Sequence, residues 1–397
     1  MSIVRLSVLK DKPHAPKADG DIVLAAYDKT KANARGAMTV LTPPELAPPS
    51  DPLRDYLQKR LASAASGLAA GQPIVVMVHG FLFDPRHAVA DDPKETDNPH
   101  GRVYHFRRRD GEERDEQRHH TSSWPRGLGF SRSDSIGGDG LAVAFGWHSQ
   151  PGFATSLIHH FQNFYARAYE HGEKSAWVLV NVLDELARIL PASHPIDIFC
   201  HSLGGHVVVR ALAMAAKEAA EGEKTGRRDA LKRLIRRLGR VLILGGSEYV
   251  VEAQLMYRRI RDLDVTRRPD FYNFVSRETD VLDILAENFG PRTFGNSQVI
   301  GHNGLDIPST RRDARPTDWI DLQIDSAELQ GWMAERNFDI AGDRPGNVWD
   351  HWYYYTYRGN MKLYRKILRD RPTWDIARLR DDGIPDGISK RWSLFGD

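Results

Sequence analysis

Ile74-Val-Val-Met-Val78, Leu141-Ala-Val-Ala-Phe145-Gly-Trp147, Ile196-Asp-Ile-Phe199 and Val241-Leu-Ile-Leu244 are runs of β-favouring residues with almost no polar alternation. Runs of that kind suit strands buried on both faces of a parallel sheet. Helix-spaced segments lie between them. Phe153 to Arg167 carries Leu157, Ile158, Phe161, Phe164 and Tyr165 on one face. Ala176 to Leu190 reads as a second amphipathic helix, closed by Pro191. Further helices are expected through Val207, Val208, Ala211 and Leu212, and from Val250 to Arg261. Asp270 to Ser276 and Trp319 to Ile324 read as later strands. Strands that alternate with helices argue for an α/β fold: a mainly parallel central sheet flanked by helices on both faces. At 397 residues the chain is long enough for one large domain with insertions. No internal boundary divides it.

The termini of these strands carry the chemistry. The stretch Cys200-His201-Ser202-Leu203-Gly204-Gly205 follows an apolar run and opens a helix. A sharp strand-to-helix turn exposes a serine Oγ and brings backbone N–H groups beside it. Gly204 removes a side chain where the new helix passes close to the strand. Cys200 stands where a G-x-S-x-G elbow has its first glycine. A plain reading of Ser202 is a helix N-cap. His79-Gly80-Phe81 forms a second corner directly after Val78. There Gly80 permits a tight turn, and the N–H of Phe81, paired with that of Leu203, would make a two-donor hole for an oxyanion. A strand-to-loop turn with no chemistry is the alternative.

Ser202, Asp280 and His351 run in the order nucleophile, acid, base, and each falls past a strand or near the final loop. From about Gly71 to Leu368 the chain resembles an α/β-hydrolase of the esterase/lipase kind. It is most similar to a loosely characterised bacterial group within that superfamily. The residues that carry the resemblance are Val78-His79-Gly80-Phe81, Phe145-Gly-Trp147-His148-Ser149, His201-Ser202-Leu203-Gly204, Tyr272 to Ser276 with Asp280, and Asp350-His351-Trp352-Tyr353-Tyr354.

The resemblance implies serine-dependent hydrolysis of carboxylic esters through an acyl-enzyme. Ser202 would attack, His351 would act as base and Asp280 would orient the imidazole. Phe81 and Leu203 would donate to the oxyanion, with His79 and Gly80 supporting that loop. No metal or cofactor is implied. Glu278, Asp283 and Glu248 compete with Asp280, and His302 competes with His351. His201 and His206 read as support residues, and Cys200 as a buried strand-end thiol. Alternative readings keep the triad for amide, thioester or acyl-transfer chemistry, or make the chain a non-catalytic hydrolase-fold binding protein.

Residues 1–70 read as N-terminal strands and a helix packed on a catalytic domain of residues 71–397. Ile3 to Leu9 and Asp21 to Tyr27 suggest an edge hairpin, and Ser50-Asp51-Pro52 opens a helix with Leu53, Leu57 and Leu61 on one face. Residues 84–140 read as a long insertion and a candidate lid; His119-His120 within it reads as solvated. The basic segment 227–238 reads as a solvated face over an apolar stripe, with membrane-surface contact as the sharper alternative. The formal charge of +2 implies no nucleic-acid partner, so the expected partner is a small-molecule or lipid-like ester. Phe81, Phe83, Trp349 and Trp352 would put aromatic surface near an apolar acyl or aryl group, or serve plain packing of the last helix. With one cysteine, no signal-peptide core and no spanning segment, the expected compartment is the cytoplasm, with export by another route left open.

Overall fold

A computed structural model describes residues 3–9, 21–26, 58, 61–62, 66–85, 98–106, 123–131, 139–150, 159–223, 225–277, 298–306, 316–342 and 351–388. Its eight strands are β1 (Ile3–Leu9), β2 (Asp21–Ala26), β3 (Ile74–Val78), β4 (Leu141–Trp147), β5 (Ile196–His201), β6 (Leu238–Leu244), β7 (Asp270–Val275) and β8 (Trp319–Gln323). They form one sheet in the order β2-β1-β4-β3-β5-β6-β7-β8. Every pairing is parallel.

The first helices are α1 (Pro99–Arg102), α2 (Trp124–Gly127), α3 (His159–Ile189), α4 (Leu203–Glu221), α5 (Thr225–Arg237) and α6 (Val250–Asp262). The rest are α7 (Ile300–Asn303), α8 (Ala327–Ala334), α9 (Tyr353–Thr356), α10 (Arg358–Arg369) and α11 (Ile376–Asp381). Among the described residues no helix is long and apolar enough to cross a membrane.

Alternate residues of a strand point to opposite faces of a sheet. Accordingly, Ile74, Val76 and Val78 of β3 enter one apolar cluster with Leu179, Leu183, Leu212, Leu234 and Met256. Val75 and Met77 enter another with Trp124, Leu329, Leu363, Tyr364 and Leu379. That is why the central strands read as continuous apolar runs.

Several expectations need correction. β1 and β2 are not a hairpin: they pair in parallel, and β1 lies between β2 and β4. Burial of Ile3, Val4, Leu6 and Val8 holds β1 inside the sheet. The two helices expected between β4 and β5 are one, α3, of 31 residues. The basic helix stops at Arg237, and the following strand starts at Leu238. α11 lies beyond the last helix expected from the sequence.

Within residues 84–140, the described parts include core residues. Tyr104 donates to the carbonyls of Met77 (2.9 Å) and Phe145 (3.2 Å), and Trp124 packs edge-on against Phe199 and Tyr355. The remainder, His119 and His120 included, lies outside the described residues. Of the helix expected after Ser50, Gln58, Leu61 and Ala62 are described and helical, with Leu61 buried.

Candidate active site

The sheet order reverses at β3: β4 lies on one side of it and β5 on the other. In open parallel sheets such a switch point opens a crevice at the carboxyl ends of the strands. The corners after β3 and β5 both fall there.

Ser202 joins β5 to α4 with φ 54° and ψ −127°. A side chain in that region costs roughly 1–3 kcal/mol and persists only where its surroundings impose it. Here they do. The Ser202 N–H donates to the Leu244 carbonyl at 2.9 Å. The Ser202 carbonyl accepts from Gly205 at 2.8 Å and from Ser247 at 3.1 Å. The helix then runs tight against β3, for a Cβ on Gly204 would lie 2.3 Å from the Val78 carbonyl oxygen. The Ser202 side chain makes no capping bond to α4. An N-cap has an extended backbone and bonds its helix, so that plain reading does not describe Ser202.

The corner after β3 is pinned by His79. The Trp147 N–H donates to His79 Nε2 at 3.0 Å, which leaves the proton on Nδ1. Nδ1–H donates to the Gly80 carbonyl at 2.9 Å. The Trp147 indole N–H returns a bond to the His79 carbonyl at 2.8 Å, and the two rings stack. Burial holds the imidazole pKa down at about 3, so the ring is neutral and serves as a brace. Gly80 rests on the serine corner: a Cβ there would lie 2.8 Å from Ser202 Cβ and 2.9 Å from the His201 carbonyl oxygen. Phe81 follows, half-buried, with its ring edge-on to Tyr165. Leu82 takes φ 71°. Phe83 is tied down by bonds to Ser149 and Gln150, and buried Asp84 pairs with His148 at 3.6 Å. Leu203 is the first residue of α4, where helix N–H groups have no partner within the helix.

His351 lies just before α9 and is buried. His201 Nε2 donates to its carbonyl at 3.1 Å, and the two rings are 4.5 Å apart. Burial first, then the neighbouring His351, keeps the His201 pKa well below the usual imidazole range. His201 is therefore a neutral prop for the His351 backbone. At the end of β6, Gly245 adopts φ 47°, and a Cβ there would stand 3.1 Å from His351 Cε1. Because Leu244 and Ser247 bond Ser202, this one corner touches both Ser202 and His351. His302 rides on α7, which docks on the same corner through a Gly301 N–H to the Gly246 carbonyl (2.9 Å).

Asp280, with its rivals Glu278 and Asp283, lies outside the described residues. Glu248 is engaged elsewhere. Its carboxylate accepts from Tyr169 (2.5 Å), from His206 Nδ1 (2.9 Å) and from the Tyr249 N–H (2.8 Å). Cys200 is buried with Sγ 3.4 Å from the Leu242 carbonyl, and burial pushes its thiol pKa up, away from reactivity.

Two residues at this end of the sheet had not been singled out from the sequence. Ser247 Oγ lies 3.3 Å from Ser202 Oγ. Asp325 accepts from Ser276 Oγ (3.0 Å) and from the Arg277 N–H (2.8 Å), and so anchors the chain where it departs toward Asp280. Gly245-Gly246-Ser247 directly after an apolar run is a signal of the same type as His79-Gly80-Phe81.

Comparison with protein-family models, curated proteins and solved structures finds no match.

The remaining features lie away from this corner or pack inward. Leu231, Leu234 and Ile235 of α5 are buried. Arg227 and Arg233 of the same helix pair with buried Asp184 at 2.9 and 3.3 Å. Arg237 donates to the carbonyls of Ala187, Leu190, Pro191 and His194. Of the expected aromatic surface, Phe83 is buried, Trp352 packs partly buried on the second core cluster, and Trp349 lies outside the described residues.

Proposed function

We propose that the protein is an α/β-hydrolase-type serine hydrolase that cleaves small or lipid-like carboxylic esters. The observation that carries this reading is the backbone of Ser202. A serine held at φ 54° between a parallel strand and a helix, with Gly80 against its Cβ, is arranged to present a hydroxyl rather than to cap a helix. The strand order, with both corners at the switch point, and helical residues in the apolar clusters on both sheet faces agree with it.

In this reading Ser202 Oγ attacks the ester carbonyl carbon while an imidazole nitrogen of His351 takes its proton. The carbonyl π electrons move to oxygen, and the N–H groups of Phe81 and Leu203 stabilise that oxyanion by roughly 3 kcal/mol per donor. When the intermediate collapses, the C–O bond to the alcohol breaks and His351 returns the proton to the leaving oxygen. Water, deprotonated by His351, then attacks the acyl-enzyme, releasing the acid and restoring Ser202. Asp280 is assigned to hold the imidazolium. His201 supports His351 by gripping its carbonyl.

The test is turnover of p-nitrophenyl esters of graded chain length by the purified protein, with Ser202→Ala and His351→Ala beside it. The expected result is hydrolysis by the native protein and loss of at least about a thousandfold in both variants. Unimpaired hydrolysis by Ser202→Ala overturns the reading.

A further inference from the structure

We propose that Ser247 is a positioning residue for Ser202; the inference rests on reading Ser202 as the nucleophile. Two contacts join these residues. The Ser247 N–H donates to the Ser202 carbonyl at 3.1 Å, and the two Oγ atoms lie 3.3 Å apart. The first contact helps impose the unfavourable backbone of the elbow. The second restricts the Ser202 hydroxyl to one rotamer. When Ser247 donates in that pair, the Ser202 proton stays free to be handed to a base, and the bond strengthens as Ser202 Oγ gains negative character.

Ser247 is itself held rigidly, as a positioning group must be. It is buried, 4% exposed. Before it, the Gly246 carbonyl accepts from Gly301. After it, the Glu248 carboxylate ties three parts of the protein together: Tyr169 on α3, His206 on α4 and the Tyr249 N–H at the start of α6. The Glu248 carbonyl accepts from the Ile300 N–H at 2.9 Å. His206 in turn contacts the Tyr169 carbonyl through Nε2 at 3.0 Å, so both its ring nitrogens face oxygen acceptors. The corner after β6 is thereby clamped by elements on either side of it, with one hydroxyl presented to Ser202.

The experiment measures the second-order rate of inactivation by a fluorophosphonate probe, which reports Ser202 attack without turnover. Ser247→Ala and the near-isosteric Ser247→Cys both remove the hydroxyl, and Ser247→Thr restores it. The expected result is a fall of about fivefold to tenfold in Ser247→Ala and Ser247→Cys, the loss of one hydrogen bond. Recovery to within about twofold of native is expected in Ser247→Thr, with thermal midpoints unchanged in the variants that fold. Should Ser247→Ala fail to fold, Ser247→Cys carries the comparison. Native-rate inactivation of Ser247→Ala or Ser247→Cys overturns the positioning role. So does an equal loss in Ser247→Thr, which would mark Ser247 as packing alone. A native protein that reacts nowhere, or reacts at a residue other than Ser202, overturns the nucleophile assignment and this inference with it.

Discussion

Ser202 and Gly80 meet Cβ to backbone, and no flexible side-chain end lies between them to yield. Gly80→Ala would place a methyl 2.8 Å from Ser202 Cβ and 2.9 Å from the His201 carbonyl oxygen, so one of the two corners must move. A displacement on the order of 1 Å at a reacting centre costs about a hundredfold in rate. We expect Gly80→Ala to lose about that factor in kcat/KM on p-nitrophenyl esters; native turnover would contradict the packing. Both corners were legible in the sequence because each is local: an apolar run, a glycine or serine, then a helix or loop. The corner at Gly245-Gly246-Ser247 carries the same local signal, but the contact of Ser247 with Ser202, and that of Asp325 with Ser276, join residues distant in sequence and are not written in either segment.

The central strands were legible because burial on both faces leaves little polar punctuation in them. What they pair with was not. β1 and β2 read as strands, but the pattern of one strand does not say whether its neighbour runs parallel, and both joined the parallel sheet. Gly172 lies between the two helices expected from Phe153 to Arg167 and from Ala176 to Leu190, within the single helix α3. In the structure it does not break the helix: a Cβ there would lie 2.6 Å from His206 Cδ2, so the glycine makes room for that imidazole. Residues 84–140 read as a long insertion, and the parts of it that are described belong to the core. Their polar stretches dominate the sequence, but Tyr104 and Trp124 are large, fully buried side chains fixed against the sheet. For α5, the basic segment read as a solvated face over an apolar stripe; the stripe is buried, and Arg227, Arg233 and Arg237 bond groups of the chain itself.

A sheet with buried strands carries histidines into the interior of the protein, and burial there has a pH consequence. His79 has its pKa lowered to about 3 by burial, against 6.5 for an ordinary imidazole. Its contribution is fully present above about pH 6.5. It is lost as pH falls from there toward 3, because the unfolded chain binds a proton that the folded one refuses. His100 and His201 are shifted in the same direction. Half-buried Asp270, its carboxyl raised to about 6 by desolvation, works the other way, so the His79 effect is best isolated by difference. Between pH 7 and pH 5 the native protein should lose about 2 kcal/mol more stability than His79→Asn, measured by urea denaturation at each pH. Equal losses would mean that His79 is not held neutral.

If Ser202 is the nucleophile of an ester hydrolase, it is the residue that a fluorophosphonate modifies. Mass-spectrometric mapping after reaction with the probe identifies that residue. A single adduct per chain is expected, on Ser202, absent from Ser202→Ala and accompanied by complete loss of ester turnover. An adduct on another residue, or turnover that persists in the fully labelled protein, would contradict the assignment of Ser202.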